Sequence, residues 1–435
     1  MNTHPFLSSR WPATAAAALL LVASSSAQTF GSNFAGTYSY TDLGTPPGVP
    51  GFLGGINFDP NNPNTLWIGG SANTGAGEIF AVPISRDSTG QIVSFNGSGT
   101  SIATAPNLDG GMAFGPNGVL FVTTYSNNRL LQFLPGSTTP DKDLDLGALG
   151  VASSTGTCQF VPMGFQGAGR FKIASYNQSG WYDTVLAPDG AGTFDIVSVT
   201  PTVNTGGGPE GIVYIPGGNP GFPTDQVLVS EYAAGAVRAY EIDANGDPLV
   251  ATQRDFLTGL GGAEGAVIDP VTGDFLFSTF GGGDRVLVVH GFTAPGIHCT
   301  GTVTSLGCVP RMTWSGSPSA SGPNDFNLTC REVVPNVAGL LILSPTPGFT
   351  PFGPGVLCFA GQIRRRPVQI STNIGGPPSN CSTYVFTDFL SQTYLAQQGF
   401  SVGTTVFCQY VSRDGGFAPP NNLSLSEGLR FTVTP

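Results

Sequence analysis

The sequence predicts an all-β protein, a β-propeller of five blades followed by a disulfide-bonded antiparallel β-sandwich. Three observations carry that reading. Glycine and proline supply 63 and 36 of the 435 residues, and both are poor helix formers. Five segments share one strand–turn–strand pattern at a near-constant spacing. Six of the seven cysteines lie in the last third of the chain. Charged residues are only 10%, against about 25% in an ordinary soluble domain. Apolar residues are still 40%. That excludes a highly charged disordered chain, which lacks apolar surface to bury.

Residues 1–27 read as a signal peptide. Arg10 gives the positive start, and ATAAAALLLVA at 13–23 the apolar run. That run is too short to span a bilayer. Ser25-Ser26-Ala27 gives the small residues of a cleavage site, and Gln28 would begin the mature chain. The longest later apolar run, Val337–Leu343, is stopped by Pro345. The expectation is therefore a protein without a transmembrane segment, secreted or held at the cell surface or in the periplasm.

Residues 28–297 are expected to form the propeller. The repeats begin at Gly54, Gly110, Met163, Glu210 and Glu264, with spacings of 56, 53, 47 and 54 residues. Each holds a glycine, an apolar strand, a turn and a second strand, as in GGMAFGPNGVLFVTTY and EGAVIDPVTGDFLFSTF. Third strands follow as EIFAVPI, RLLQFL, WYDTVLA, AVRAYEI and RVLVVHG. Short alternating runs divided by Asn, Asp, Gly and Pro are strand signals. Four-stranded units at this period are propeller blades. The last unit lacks a fourth strand before Pro295, and TYSYTDL at 37–43 has no unit of its own. It should complete the last blade and close the ring. A sixth blade would have to lie between Leu144 and Phe160.

Residues 298–435 are expected to form the sandwich. Cys299, Cys308, Cys330, Cys358, Cys381 and Cys408 read as a disulfide framework in an exported protein. Six cysteines allow fifteen pairings. We expect Cys299–Cys308 and Cys358–Cys381, with Cys158 left over as a buried thiol. Zinc fits poorly, because no CxxC pair occurs and only His290 and His298 lie beyond the leader. Charge also divides the chain. Residues 28–297 carry 22 acids against 8 bases, and residues 298–435 carry 5 against 7. An acidic front region argues against nucleic-acid binding, which needs a basic face.

GPEGIVYIP, GAEGAVIDPVTGDFLFSTFGGGDRVLVV and GGMAFGPNGVLFVTTYSNNRLLQF resemble blades of NHL-repeat and SMP-30/gluconolactonase-like propellers. That resemblance implies a fold shared by catalytic and non-catalytic proteins. The tail resembles a C-terminal β-module recurring in exported proteins of planctomycete-type bacteria. The matching residues are C-x-G-T-x-x-S-L-G-C-x-P at 299–310, N-x-x-G-L-L at 336–341 and Q-Y-x-S-R-D…L-S-E-G-L-x-F at 409–431. It implies an accessory role in attachment or presentation. Cys330 and Cys408 stand outside that module's usual four cysteines, so we expect them to pair.

Aligned by their glycines, the repeats put Gly54, Gly110, Met163, Glu210 and Glu264 at one position facing the channel. Two carboxylates on neighbouring blades suit a hard cation such as Ca2+. SMP-30-like lactonases hold their metal in such a ring, which implies the same use for Glu210 and Glu264. Further ligands would have to come from residues such as Asp109, which stands one place out of register, Asn57 or Asn177. The alternative is that both glutamates are solvated or hydrogen-bonded channel residues. Asp243-Ala244-Asn245-Gly246-Asp247 resembles the start of an EF-hand loop but lacks its closing glutamate and reads as a turn. No G-x-S-x-G elbow occurs, and His290 reads as structural. Arg364-Arg365-Arg366 reads as a charged edge strand. Tyr38, Tyr40, Trp181 and Tyr182 are aromatics suited to sugars or to the space between blades. The leading expectation is a non-enzymatic binding protein for an extracellular ligand such as a glycan or envelope protein. A Ca2+-dependent lactonase-like hydrolase and a structural cell-envelope protein are the alternatives.

Overall fold

The computed structural model describes Met1 and residues 28–87, 90–375 and 381–435. The expected leader therefore lies outside the described residues, apart from Met1. Strands dominate, and the single α-helix among the described residues, Gln392–Gln397, is capped by Ser391, whose hydroxyl accepts from the Tyr394 amide at 3.1 Å.

Five antiparallel sheets form the propeller. Their inner strands are Ile56–Asp59, Leu108–Phe114, Thr155–Phe160, Pro209–Ile215 and Ala263–Ile268. The count of five therefore holds, and the stretch before Phe160 supplies the third inner strand rather than a sixth blade. This corrects one expectation. Met163 does not begin a blade; it follows the inner strand, on the turn toward Phe171–Ser175. TGTCQF at 155–160 lacks the apolar alternation of the other repeats, which hid it.

Each inner strand lies between two others, and that of blade 4 is buried on both faces. All seven residues of Pro209–Ile215 are buried. Glycine makes this approach feasible. A Cβ on Gly110 would fall 2.0 Å from the Glu210 carbonyl oxygen, and one on Gly211 2.4 Å from that of Glu264. Side chains then stitch the blades. Gln132 exchanges two hydrogen bonds with the Phe194 backbone, at 2.7 and 2.9 Å. Lys172, fully buried, sits between Asp183 at 3.0 Å and Asp247 at 2.6 Å.

The ring closes through the N-terminal segment. Ser39–Gly44 pairs with Val286–His290 and completes blade 5, as expected. Thr29–Phe30 adds a fifth strand to blade 4. Between them Phe34 and Tyr38, 0% and 5% exposed, enter a cluster with Phe222, Phe256 and Phe292. Burying each ring contributes roughly 2–3 kcal/mol. One short segment thus holds two blades together.

The sandwich consists of two main sheets. One contains Gly296–Cys299, Gly428–Thr432, Thr405–Arg413 and Ala338–Ser344; the other contains Arg311–Ser315, Asn327–Arg331 and Tyr384–Phe389. Leu328, Leu341, Phe386, Val406 and Phe431 fill the space between them. The disulfides are Cys299–Cys358 and Cys308–Cys381, which corrects the expected pairing. Cys299 is held by the ladder to Gly428, whose missing Cβ leaves room for Cys299 Sγ and Cys358 Cβ. Cys308 is carried round a separate turn, closed by Thr304 N–H to its carbonyl at 2.7 Å. Proximity in sequence therefore misleads. Cys330 and Cys408 lie on strands of opposite sheets and are unbonded; Cys408 Sγ–H donates to the Leu429 carbonyl at 3.3 Å.

Burial pushes the Cys158, Cys330 and Cys408 thiols above their ordinary range. Peptide mapping without reductant should find Cys299–Cys358 and Cys308–Cys381. Alkylation should reach the remaining three cysteines only after unfolding; a Cys299–Cys308 peptide would contradict the arrangement.

Candidate functional site

Three carboxylates meet where the inner strands of blades 2, 4 and 5 begin. Asp109, Glu210 and Glu264 each place an oxygen within 4.8 Å of the other two. They are 1%, 4% and 2% exposed.

Backbone irregularity brings them together. Each of these three strands opens with a bulge against its neighbour, and bulges re-aim side chains. Between Pro209 and Gly211 the ladder gains one residue, and so it does between Ala263 and Ala266. Between Leu108 and Met112 it gains two. That additional residue explains why Asp109 looks displaced by one place in sequence, yet stands with the glutamates in space. Gly156 matters from blade 3, since a Cβ there would fall 2.5 Å from Glu210 Oε2. A side chain at 156 would displace the carboxylate.

No basic side chain lines this site among the described residues; its wall is Asn73, Tyr125, Tyr176, Tyr232 and Phe280 around a cavity of about 240 Å³. Glu210 Oε2 and Asp109 Oδ2 are enclosed without a hydrogen-bond partner. Oriented with its nitrogen inward, the Asn73 amide donates to the Leu108 carbonyl at 3.2 Å and to Asp109 Oδ1 at 3.1 Å. Turned about, it presents a further oxygen to the site.

Burial without counter-charge raises all three carboxyl pKa values. Asp109 is pushed up to about 8 by desolvation, with its hydrogen bond to Glu264 opposing. Desolvation, then repulsion from Asp109, holds Glu210 well above the carboxylate range. Glu264 is raised by desolvation, then by Glu210 and Asp109. Three such groups cannot all ionise in a desolvated site unless a cation joins them. The donor set is all oxygen and anionic, which suits a hard divalent ion completed by solvent or ligand oxygens. Such an ion would supply charge neutralisation and a Lewis-acidic contact for an oxygen ligand.

The aromatic collar went unread in the sequence, although its signal was there. Tyr125, Tyr176, Tyr232 and Phe280 each follow the second strand of a blade, in TTY, ASY, SEY and STF. Asn73 follows the second strand of blade 1. Tyr176 and Tyr232 meet edge to face, with centroids 5.9 Å apart.

The other candidates fall elsewhere. Asn57 donates to the Met112 carbonyl at 2.9 Å, and Asn177 is exposed on a turn. Asp243 closes its own turn by accepting from the Asn245 and Asp247 amides at 2.8 and 2.9 Å. His290 bridges Asp274 at 3.0 Å and Thr41 at 2.9 Å. Arg366 bonds Asp388 at 2.8 Å and lies over the Tyr394 ring. Trp181, Tyr182 and Tyr38 are core residues, while Tyr40 is exposed.

No protein-family model and no curated protein matches the chain. Among solved structures it is similar to a glucose dehydrogenase, 12% identical with a TM-score of 0.35, over 58% of this chain and 99% of that one. It is also similar to a Myxococcus xanthus glutaminyl cyclase, 11% identical with a TM-score of 0.35, over 58% of this chain and 95% of that one. An aldose sugar dehydrogenase from Streptomyces coelicolor is 16% identical with a TM-score of 0.31, over 57% of this chain and 83% of that one. Likeness at this level carries no functional argument. The propeller rests on its own strand topology.

The raised carboxyl pKa values give stability a definite sign with pH. The native state holds protons that the unfolded chain loses near pH 4, so their contribution is complete below that and is lost as pH rises. In a chelator, stability should fall between about pH 5 and 8, by up to roughly 1.4 kcal/mol per pH unit for each proton. Asp109→Asn should flatten this fall, as chemical denaturation at several pH values would report; an unchanged slope would contradict the assignment.

Proposed function

We propose that the propeller binds a divalent cation, Ca2+ by its hard oxygen donors, at Asp109, Glu210 and Glu264. Through that ion and the aromatic collar it would take up a small oxygen-rich ligand, such as a sugar acid or the terminal residue of a glycan. One observation carries this reading: three buried carboxylates converge with two enclosed, unpartnered oxygens and no basic neighbour. A structural ion pair would supply a cation from the chain, and this site does not.

The protein is read here as an exported binding protein of two domains, with the boundary at Pro295–Gly296. The apolar, small-residue leader and two disulfides support export. No helix among the described residues is long and apolar enough to cross a membrane. The sandwich then serves attachment or presentation. The NHL or SMP-30-like kinship of the blades belongs to this reading as well. Metal-assisted hydrolysis of a lactone is the second reading. It is favoured by the same all-oxygen donor set beside an open cavity, where a bound divalent ion would polarise a carbonyl oxygen.

Thermal unfolding of the chain from Gln28, in Ca2+ and in EDTA, tests the site. At a hundredfold excess over its dissociation constant an ion adds about 2.7 kcal/mol. Ca2+ should raise the melting temperature, and Glu210→Gln and Glu264→Gln should each abolish the rise. Equal melting in Ca2+ and EDTA would overturn the site, and lactone turnover lost in the same variants would favour the hydrolase.

A further inference from the structure

The sandwich meets the propeller beside the inner-strand ends of blades 4 and 5. The inner strands of blades 4 and 5 end at Ile215 and Ile268, opposite the carboxylates. Between these ends and Ile297, Trp314 and Arg430 of the sandwich lies a cavity of about 130 Å³.

Arg430 is the anomaly there. It is 4% exposed, and its Nη1 is enclosed without a partner. No side-chain hydrogen bond or ion pair joins its guanidinium to a described residue. Its approach is deliberate in the fold: it crosses Gly273, where a Cβ would stand 1.6 Å from Nη2. The acids nearby are already engaged within the propeller. Asp269 binds Arg86 at 2.6 and 2.9 Å, and Asp274 binds Thr272 at 2.8 Å and His290 at 3.0 Å. They act on Arg430 only through space. A guanidinium offers five donors and does not deprotonate. Burying it with none of them used by a described residue is costly unless water or an anion fills the site.

The remaining walls restrict that anion. Phe165, Tyr214, Phe292 and Trp314 are aromatic, and Met163 adds a flexible apolar side chain. Inorganic phosphate or sulfate would strand most of its oxygens against these groups. A cavity of roughly 150 Å³ holds a benzene, so the body has room for only a few carbons.

We propose that this cavity binds a small organic monocarboxylate, with its carboxylate on Arg430 and its apolar body against the aromatic walls. Direct pairing of guanidinium and carboxylate supplies the missing hydrogen bonds. The ligand contacts propeller and sandwich together, so binding also ties the two parts. This site is independent of the cation site at the other mouth.

Calorimetric titration of the full chain from Gln28 with butyrate, against acetate and against NaCl at equal ionic strength, tests the proposal. Butyrate should bind with a dissociation constant in the millimolar range or tighter, and at least threefold better than acetate. Arg430→Met should weaken it tenfold or more. Met163→Trp, which fills the cavity from a loop, should do the same and decides the matter if Arg430→Met does not fold. No heat beyond the NaCl control would overturn the proposal and leave Arg430 as a solvated clamp between the parts. So would equal affinity in Met163→Trp.

Discussion

Five inner strands share one narrow axis, and the fold depends on how closely their backbones approach there. Gly110, Gly211 and Gly265 sit where a Cβ would meet the backbone of another blade at 2.0, 2.4 and 2.6 Å. Close approach excludes water, and it brings the residues preceding these glycines, Asp109, Glu210 and Glu264, into one desolvated cluster. Packing and electrostatics are thus coupled. The geometry that closes the ring is what makes the carboxylates costly to ionise.

The repeat was legible because turn chemistry and strand alternation recur together. DPNNPN, GPNG and DPVTGD mark hairpins whatever the tertiary context. Thr37–Leu43 could be assigned to blade 5 because that blade lacked a strand. Blade 3 was misread because TGTCQF pairs glycine and polar residues where the other blades place apolar ones. At the site, Glu210 and Glu264 were legible from the E-G pair opening each strand. Asp109 was legible only as one candidate further ligand beside Asn57 and Asn177, because a bulge wider by one residue cannot be seen in a one-dimensional alignment. Nor could the cysteine spacing reveal that Cys299 is carried to Cys358 by its ladder with the C-terminal strand. Such pairings are set by sheet order, which local sequence does not encode.

The two ends of the channel differ in chemistry. One mouth gathers carboxylates beneath tyrosines, while the other is floored by apolar strand ends and meets the sandwich at Arg430. The acidic excess of the propeller and the slight basic excess of the tail are therefore not only surface properties. Part of each is buried, as Asp109, Glu210 and Glu264 at one end and Arg430 at the other. The N-terminal segment bridges blades 4 and 5 through Phe34 and Tyr38 and closes the ring.

The three carboxylates should hold protons until a cation replaces them. Calorimetric Ca2+ titration at pH 7 in two buffers of different ionisation enthalpy counts the protons displaced, since ligand deprotonation accompanies metal binding. At least about one proton should be released per ion, and fewer in Asp109→Asn. Binding with no proton release, or release unaltered by that substitution, would contradict it.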